Sequence, residues 1–153
     1  MTVYFGDKKI KEMYWAGQKI REAWYGGERV FSGKPVEVMP PTPGTYDARN
    51  WLRAKLTEYG EGYQTVEEIP FEIDSSQATT MREMFRDCSS LIAVPDMHTG
   101  QVMNMAHMFR GCSSLTDGNV RLIGKHPRVA TTSMIDNSGL TREPFYDSSG
   151  QPI

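Results

Sequence analysis

Two repeating patterns of hydrophobic and polar residues run along the chain, and the first occupies its N-terminal thirty residues. A pair of aromatic residues recurs there every ten positions, followed by a short polar stretch and a basic residue beside a branched one. The aromatic pairs are Tyr4-Phe5, Tyr14-Trp15 and Trp24-Tyr25, and the basic-branched pairs are Lys9-Ile10, Lys19-Ile20 and Arg29-Val30. Residues suited to tight turns separate the members of each copy, at Gly6-Asp7, Ala16-Gly17 and Gly26-Gly27. The pattern predicts an antiparallel β meander over residues 2–32.

A helix is the alternative for residues 8–24, because Lys11-Glu12 and Arg21-Glu22 have the chemistry of a helix surface. Glycine costs about 1 kcal/mol in a helix interior, and glycines recur through this region, so we favour strands. A sheet this small is marginal alone. Its aromatic residues exceed what it can bury, which is typical of an interface. We therefore expect residues 1–32 to be a docking module that makes its contacts through Tyr4, Phe5, Tyr14, Trp15, Trp24 and Tyr25.

Residues 33–44 interrupt this pattern with four prolines and a glycine at each end. Proline fixes φ and removes hydrogen-bond donors, so we expect a stiff linker and a domain boundary here. Beyond it, Ile69, Phe71 and Ile73 alternate with Pro70 and Glu72, as in an edge strand with one buried face. Between the linker and this strand, apolar residues at helical spacing predict a helix that Asp47 caps and Gly60 ends; they are Ala48, Trp51, Leu52, Leu56 and Tyr59.

The second pattern has a period of 24 residues. Residues 77–91 align with residues 101–115, and more than half of the aligned positions are identical. A decayed third copy follows at residues 129–140, where the phenylalanine and the cysteine of the other copies are missing. Loss of such residues is common in a terminal repeat, which has a neighbour on one side only.

Each copy of this second pattern predicts one coil of a solenoid. Thr80 and Glu83 have the spacing of a capping box, and Met81, Met84 and Phe85 would give a short helix one apolar face. Residues 92–97 would return as a short strand, so that Phe85 stacks on Phe109 and Cys88 on Cys112. The expected fold class is therefore α+β: a small N-terminal antiparallel β meander, a proline linker, then a helix and a short α/β solenoid over residues 45–141, followed by a tail of residues 142–153.

The run Val102-x-x-Met105-x-x-Met108-Phe109-x-x-Cys112-Ser113-Ser114-Leu115 closely resembles the BspA-type leucine-rich repeat, which has the form V-x-x-M-x-x-M-F-x-x-C-x-x-L. The resemblance covers about residues 66–141 and implies a leucine-rich-repeat-like solenoid. The long arrays usual in that family are absent. Such repeats occur in bacterial surface proteins, protist proteins and phage proteins. The pattern from Lys9 to Ile20 is similar to short β segments at the ends of minor tail proteins of phages that infect Gram-positive hosts.

Together these resemblances imply a structural virion protein, a bacteriophage minor tail protein that contributes to tail-tip or fibre architecture and to host-surface attachment. Its expected partners are other tail proteins, further copies of itself within the particle, and a glycan or protein of the host surface. Its expected location is the virion tail, after synthesis in the host bacterial cytoplasm. A cellular BspA-like adhesin and a capsid head-decoration protein stay open as alternatives.

Composition and charge narrow the choice of partners. The formal net charge is -2 and there is no polybasic run, which disfavours nucleic acid and anionic membranes as partners. No window approaches the roughly 18 apolar residues of a membrane span, so we expect no membrane insertion. The sequence contains no HExxH, P-loop, GxSxG or GxGxxG pattern and no evident pair of catalytic carboxylates. We therefore expect a protein that is not an enzyme and that holds no cofactor or metal.

Arg86, Arg110 and His107 are candidate surface contacts. Arg86 and Arg110 occupy equivalent repeat positions and would form a basic row, either a solvated edge or a contact for an anionic wall polymer or a neighbouring subunit. His107 replaces Glu83 in the second copy and is expected to be exposed rather than to bind a metal. Cys88 and Cys112 would lie close enough for a disulfide, but we favour buried free thiols because the repeat uses this position for packing.

Overall fold

The computed structural model describes residues 34–153 in full and, within the first 33 residues, the backbone of six short strands. The chain divides into two compact units, Met1–Pro35 and Val36–Ile153. The strands of the first unit form three antiparallel pairs: β1 (Val3–Phe5) with β2 (Lys8–Ile10), β3 (Tyr14–Trp15) with β4 (Gln18–Lys19), and β5 (Ala23–Tyr25) with β6 (Glu28–Phe31).

These pairs are separate two-stranded sheets, and among the described residues no strand pairing joins one sheet to the next. The predicted single meander is therefore wrong. Strands of two to four residues offer few ladder hydrogen bonds, and each strand here completes its pairing with its neighbour in the chain. The residues predicted to make the turns lie outside the described residues.

The second unit contains one α-helix and five short strands, and all of its strand pairs are parallel. Strand β7 (Val36–Val38) pairs with β8 (Glu72–Asp74). Three further strands form a second sheet in the order β11-β10-β9: β9 (Met97–His98), β10 (Leu122–Ile123) and β11 (Phe145–Tyr146). A 3-10 turn covers Asp117–Asn119. Within residues 34–153, no helix has the length and apolar character needed to cross a membrane.

The helix α1 (Asp47–Glu58) matches the predicted helix. Its buried face consists of Ala48, Leu52 and Leu56, which follow the 3.6-residue period. It ends in a Schellman motif, because Gly60 adopts φ +75° and the N–H groups of Gly60 and Glu61 donate to the carbonyls of Thr57 and Leu56. Asp47 does not cap the helix as predicted: it is the first helical residue, and its carboxylate accepts a hydrogen bond from the Gly44 N–H at 2.7 Å.

The three repeat copies lie side by side as successive coils, defined here as residues 77–91, 101–115 and 129–140. Alternate N–H groups of the first coil, at residues 81, 83, 85 and 87, donate to carbonyls of the second coil at residues 104, 106, 108 and 110. The same ladder continues from residues 105, 107, 109 and 111 to residues 130, 132, 134 and 136. The N–H groups of residues 84, 86 and 88 instead close tight turns onto carbonyls three residues earlier. Each coil is therefore a series of turns bonded to its neighbour.

The predicted helix in each coil is wrong, and with it the predicted α/β solenoid of strands and short helices. The only α-helix in the described part of the chain is α1, which precedes the repeats. Two positions of every coil have left-handed φ values, which a right-handed helix excludes: Glu83 and Asp87, His107 and Gly111, Ser133 and Asn137. A helix would also use these N–H groups for its own internal hydrogen bonds, whereas here they bond to the next coil.

Within the predicted proline linker, residues 36–44 belong to the second compact unit. Val36–Val38 form the strand β7, and Met39 is fully buried in the core. The Thr42 hydroxyl donates to the Thr80 carbonyl at 2.7 Å and accepts the N–H groups of Thr79 and Thr80 at 3.1 and 2.9 Å. These contacts place residues 36–42 against β8 and the first coil.

Candidate functional site

A buried carboxylate lies beside the first coil. Glu83 is only 3% exposed, although acidic residues are almost never buried without a partner. Its Oε2 accepts from Arg49 at 3.0 Å, and its Oε1 accepts from Arg86 at 2.8 Å and faces Arg82 at 3.9 Å. The left-handed backbone at Glu83 belongs to the turn geometry of the coil, so the coil itself holds this carboxylate among the three arginines.

Tyr63 connects this ion cluster to α1. Its hydroxyl donates to the carbonyls of Met84 and Glu83, at 2.9 and 3.2 Å. The guanidinium groups of Arg49 and Arg53 lie 5.9 and 4.6 Å from the centre of its ring, within the range of cation–π attraction. Burial raises the pKa of the Tyr63 hydroxyl well above its ordinary value, so this group stays a hydrogen-bond donor.

We call Arg49, Arg53, Arg82, Arg86 and Arg110 the arginine face. The first four are linked through Glu83 and Tyr63, as described above. Arg110 belongs to the next coil, where its carbonyl accepts the Asp87 N–H at 2.7 Å. Within residues 34–153, neither Arg53 nor Arg110 has a carboxylate within ion-pair distance. The chain as a whole carries a net charge of -2, so the positive character of this face is local.

Among residues 34–153, three buried polar atoms without a hydrogen-bond partner lie in or beside the arginine face. In the described part of the chain, the buried side-chain polar atoms without a hydrogen-bond partner are Arg49 Nε, Arg82 Nε and His107 Nδ1. Two of them belong to arginines that face Glu83, and the third to the residue that replaces Glu83 in the second coil. A buried polar group without a partner costs about 1 to 3 kcal/mol.

An open cleft of about 430 Å³ adjoins the arginine face. Arg53 and Tyr63 form one side of it, and the other lining residues are small, hydroxyl-bearing, amide or acidic: Thr57, Glu61, Gly62, Gln64 and Thr65. Hydroxyl and amide groups around a partly covered aromatic ring suit a ligand that carries hydroxyl groups.

The structure leaves all three predicted surface contacts partly exposed. Arg86 is 34% exposed along its side chain and pairs with Glu83 and, at 3.5 Å, with Asp87. Arg110 and His107 are half-buried. His107 is thus less exposed than expected, because the turn that carries it is bonded to coils on both sides.

The six predicted docking residues are described only through their backbone. Tyr4 and Phe5 lie in β1, Tyr14 and Trp15 in β3, and Trp24 and Tyr25 in β5. Their side chains lie outside the described part of the structure, so the docking role stays a prediction.

Cys88 and Cys112 are buried free thiols in the structure. Burial raises the pKa of the Cys88 thiol to about 12 and that of the Cys112 thiol further. Cys112 Sγ donates to the Phe85 carbonyl at 2.9 Å, which ties adjacent coils together. Residues 34–153 contain no group of three or more His, Cys, Asp or Glu side chains positioned to hold a metal ion.

Sequence reasoning missed Glu83 as the centre of the cluster, together with Arg49, Arg82 and Tyr63. Glu83 was assigned to a capping box, and Arg49 lies on the polar side of a helix, where charge is ordinary. The sequence signal that could have pointed to this cluster is the change from Glu83 to His107 at one repeat position. Buried and solvent-exposed positions of a repeat tolerate different residues, so such a change marks a position with its own surroundings.

Comparison of the chain with protein-family models, curated proteins and solved structures found no match.

Proposed function

We propose that this chain is a structural virion protein, a minor tail protein of a bacteriophage that contributes to tail-tip or fibre architecture and to attachment at the host surface. The observation that carries the proposal is the pairing of two unlike repeats in one chain. Residues 1–32 repeat aromatic pairs suited to docking, and the second unit holds an arginine face on closely bonded coils.

Two features of the second unit support a role in recognition. The side chains of Arg49, Arg53, Arg82 and Arg86 are ordered by Glu83 and Tyr63, so binding through them would cost little conformational entropy. The first two coils, which carry Arg82, Arg86 and Arg110, share a core in which Met81, Phe85, Met105 and Phe109 are fully buried, which suits a surface that must keep its shape. The resemblance of residues 102–115 to the BspA-type motif supports the same role, because such repeats occur in surface proteins.

Purified phage particles test the proposal. Antibodies raised against residues 34–153 should label the tail of intact particles, and mass spectrometry of the same particles should detect the chain. Label on the head would favour a capsid decoration protein instead. Absence from particles together with label on the bacterial surface would favour a cellular adhesin and would overturn the proposal.

A further inference from the structure

We propose that the arginine face and the adjoining cleft bind a linear polymer of polyol or sugar units joined by phosphodiester groups. This inference rests on the proposed function, which places such a polymer, at the host surface, within reach of the protein. The first argument is charge. Five arginines form the face, while the nearby carboxylates are Glu61, Glu83 and Asp87, so two positive charges remain (5 - 3 = 2). Each phosphodiester group carries one negative charge and two unesterified oxygens.

The second argument is the geometry of the guanidinium groups. Glu83 occupies one nitrogen of Arg49 and one of Arg86, at 3.0 and 2.8 Å, and Arg86 Nε also faces Asp87 at 3.5 Å. The two side chains are 24% and 34% exposed, so they are held in place and still reach solvent. Arginine presents a planar fork of donors that matches two oxygens of one phosphate group. The Glu83 carboxylate demonstrates that this cluster already binds an oxyanion.

The third argument is the extent of the face. Its cations run from α1 across the first coil to Arg110 in the second coil, and Asp136 occupies the equivalent position in the third. Neighbouring coils lie about 5 Å apart at the distance of paired strands. A polymer with repeated phosphate groups can contact cations on α1 and on both coils at once. The acidic residue on the third coil limits the binding face to the end of the unit near α1.

The fourth argument is the cleft beside Arg53. Thr57, Gln64 and Thr65 supply neutral donors and acceptors next to the guanidinium group. A hydroxyl-bearing unit in the cleft would place the phosphates that flank it on the arginines. The Thr57 hydroxyl donates to the Arg53 carbonyl at 2.9 Å and offers an acceptor, while the Gln64 amide offers both donors and an acceptor. The cleft therefore adds a preference for hydroxyl-bearing units to the charge of the face.

The test uses the full chain and fluorescently labelled poly(glycerol phosphate) as the probe, with anisotropy measured at about 50 and about 500 mM salt. Binding should be saturable at low salt and should weaken as salt increases. Changing Arg53 and Arg110 to Ala together should weaken binding about tenfold or more and should lower the slope of log affinity against log salt by about 1.4, or about 0.7 for each lost phosphate contact. Neither residue has an ion-pair partner among residues 34–153, and Arg53 only packs on the Tyr63 ring, so circular dichroism of the double variant should match that of the parent chain.

Arg128→Ala is the matched control for the single change Arg53→Ala, because Arg128 is exposed and its loss removes the same single charge outside the arginine face. Its affinity for the probe should stay within about twofold after correction for net charge. Equal weakening by Arg128→Ala and Arg53→Ala would mean that only net charge matters, and would overturn the inference. So would absence of binding to the probe, the result expected if the face instead contacts an acidic protein surface.

Gln64→Ala separates the role of the cleft, because Gln64 lines the cleft and carries no charge. The inference requires this variant to bind poly(glycerol phosphate) more weakly than the parent chain at an unchanged salt slope, and unchanged binding would contradict the contribution of the cleft. The particle-labelling experiment is independent of these measurements. A chain found in the tail that does not bind the polymer would overturn the inference and leave the proposed function intact, while a chain that binds but is absent from particles would overturn the proposed function alone.

Discussion

The rings of Phe85 and Phe109 lie 5.5 Å apart with 9° between their planes. They occupy the same position in consecutive coils, and both are fully buried. The Phe85 N–H donates to the Met108 carbonyl, next to Phe109, so the backbone ladder and the stacked rings share one register. The predicted stacking of these two residues is confirmed, and it identifies the repeat position on which the core of the coils depends.

Removal of one ring should therefore open a cavity in the centre of the stack. We expect Phe109→Ala to lower the free energy of unfolding by about 3 to 5 kcal/mol. Chemical denaturation of the full chain, followed by circular dichroism, measures the change. Met103→Ala is the control, because Met103 is 51% exposed in the same coil and should cost less than about 0.5 kcal/mol. Similar losses for both variants would contradict the stacked core.

The Glu83 carboxylate should be the most sensitive charge in the described part of the chain. Glu83→Ala would leave Arg49 and Arg86 facing each other without a counter-ion, so we expect a loss of about 3 to 5 kcal/mol. Glutamate and alanine carry a similar penalty at left-handed φ, so the change isolates the carboxylate. The exposed pair of Lys55 and Glu58 provides the comparison: Glu58→Ala should change the unfolding free energy by less than about 1 kcal/mol.

Gly139 should tolerate no side chain, because the third coil approaches the second closely there. A Cβ atom at this position would lie 1.8 Å from the Leu115 carbonyl oxygen, a backbone atom that cannot rotate away. We expect Gly139→Ala to cost about 3 kcal/mol or more, measured as the shift of the denaturation midpoint. Gly118→Ala, where a Cβ would meet no atom within 4 Å, should be nearly neutral. A neutral Gly139→Ala would show that the two coils do not approach in this way.

Two truncated chains should separate the contribution of residues 34–44. A chain of residues 34–153 should unfold cooperatively, because it retains β7, Met39 and Thr42. A chain of residues 45–153 should be markedly less stable, since it loses the partner of β8 and the hydroxyl that bonds to Thr79 and Thr80. Calorimetry of both chains measures the difference. Identical midpoints would mean that residues 34–44 act only as a linker.

Stability should fall at alkaline pH as a consequence of the buried thiols. Burial raises the pKa of Cys88 from its ordinary 9.0 to about 12, so the unfolded chain loses this proton first. The stabilisation that the buried, protonated thiol provides is therefore complete below pH 9, and it is lost as the pH rises towards the pKa of the thiol in the folded chain. At about pH 10.5 each thiol should account for a loss of about 2 kcal/mol. Under reducing conditions, a Cys88→Ala and Cys112→Ala double variant should show a shallower decline above pH 9 than the parent chain, and an equal decline would contradict the burial effect.

Local pattern was sufficient to predict α1 and the repeat positions that are buried. The apolar residues of α1 follow the helical period, and Gly60 marks its end by adopting a φ that other residues avoid. The 24-residue spacing likewise identified Phe85, Phe109 and the two cysteines as core residues, because a repeat buries equivalent positions alike. Of the candidate site, sequence reasoning found Arg86, Arg110 and His107 but not the carboxylate that orders the arginines.

The sequence by itself determined which residues are apolar, how they repeat and where α1 ends. Only the tertiary structure decided that residues 81–88 form turns, because Met81, Met84 and Phe85 have a spacing that suits a helix face and these turns equally. The decision depends on backbone N–H groups that bond to carbonyls 23 residues away, and such partners exist only after the coils come together. The same association of the coils explains the burial of Glu83. Its carboxylate is buried only when the folded coils, α1 and Tyr63 come together, and no local pattern encodes this.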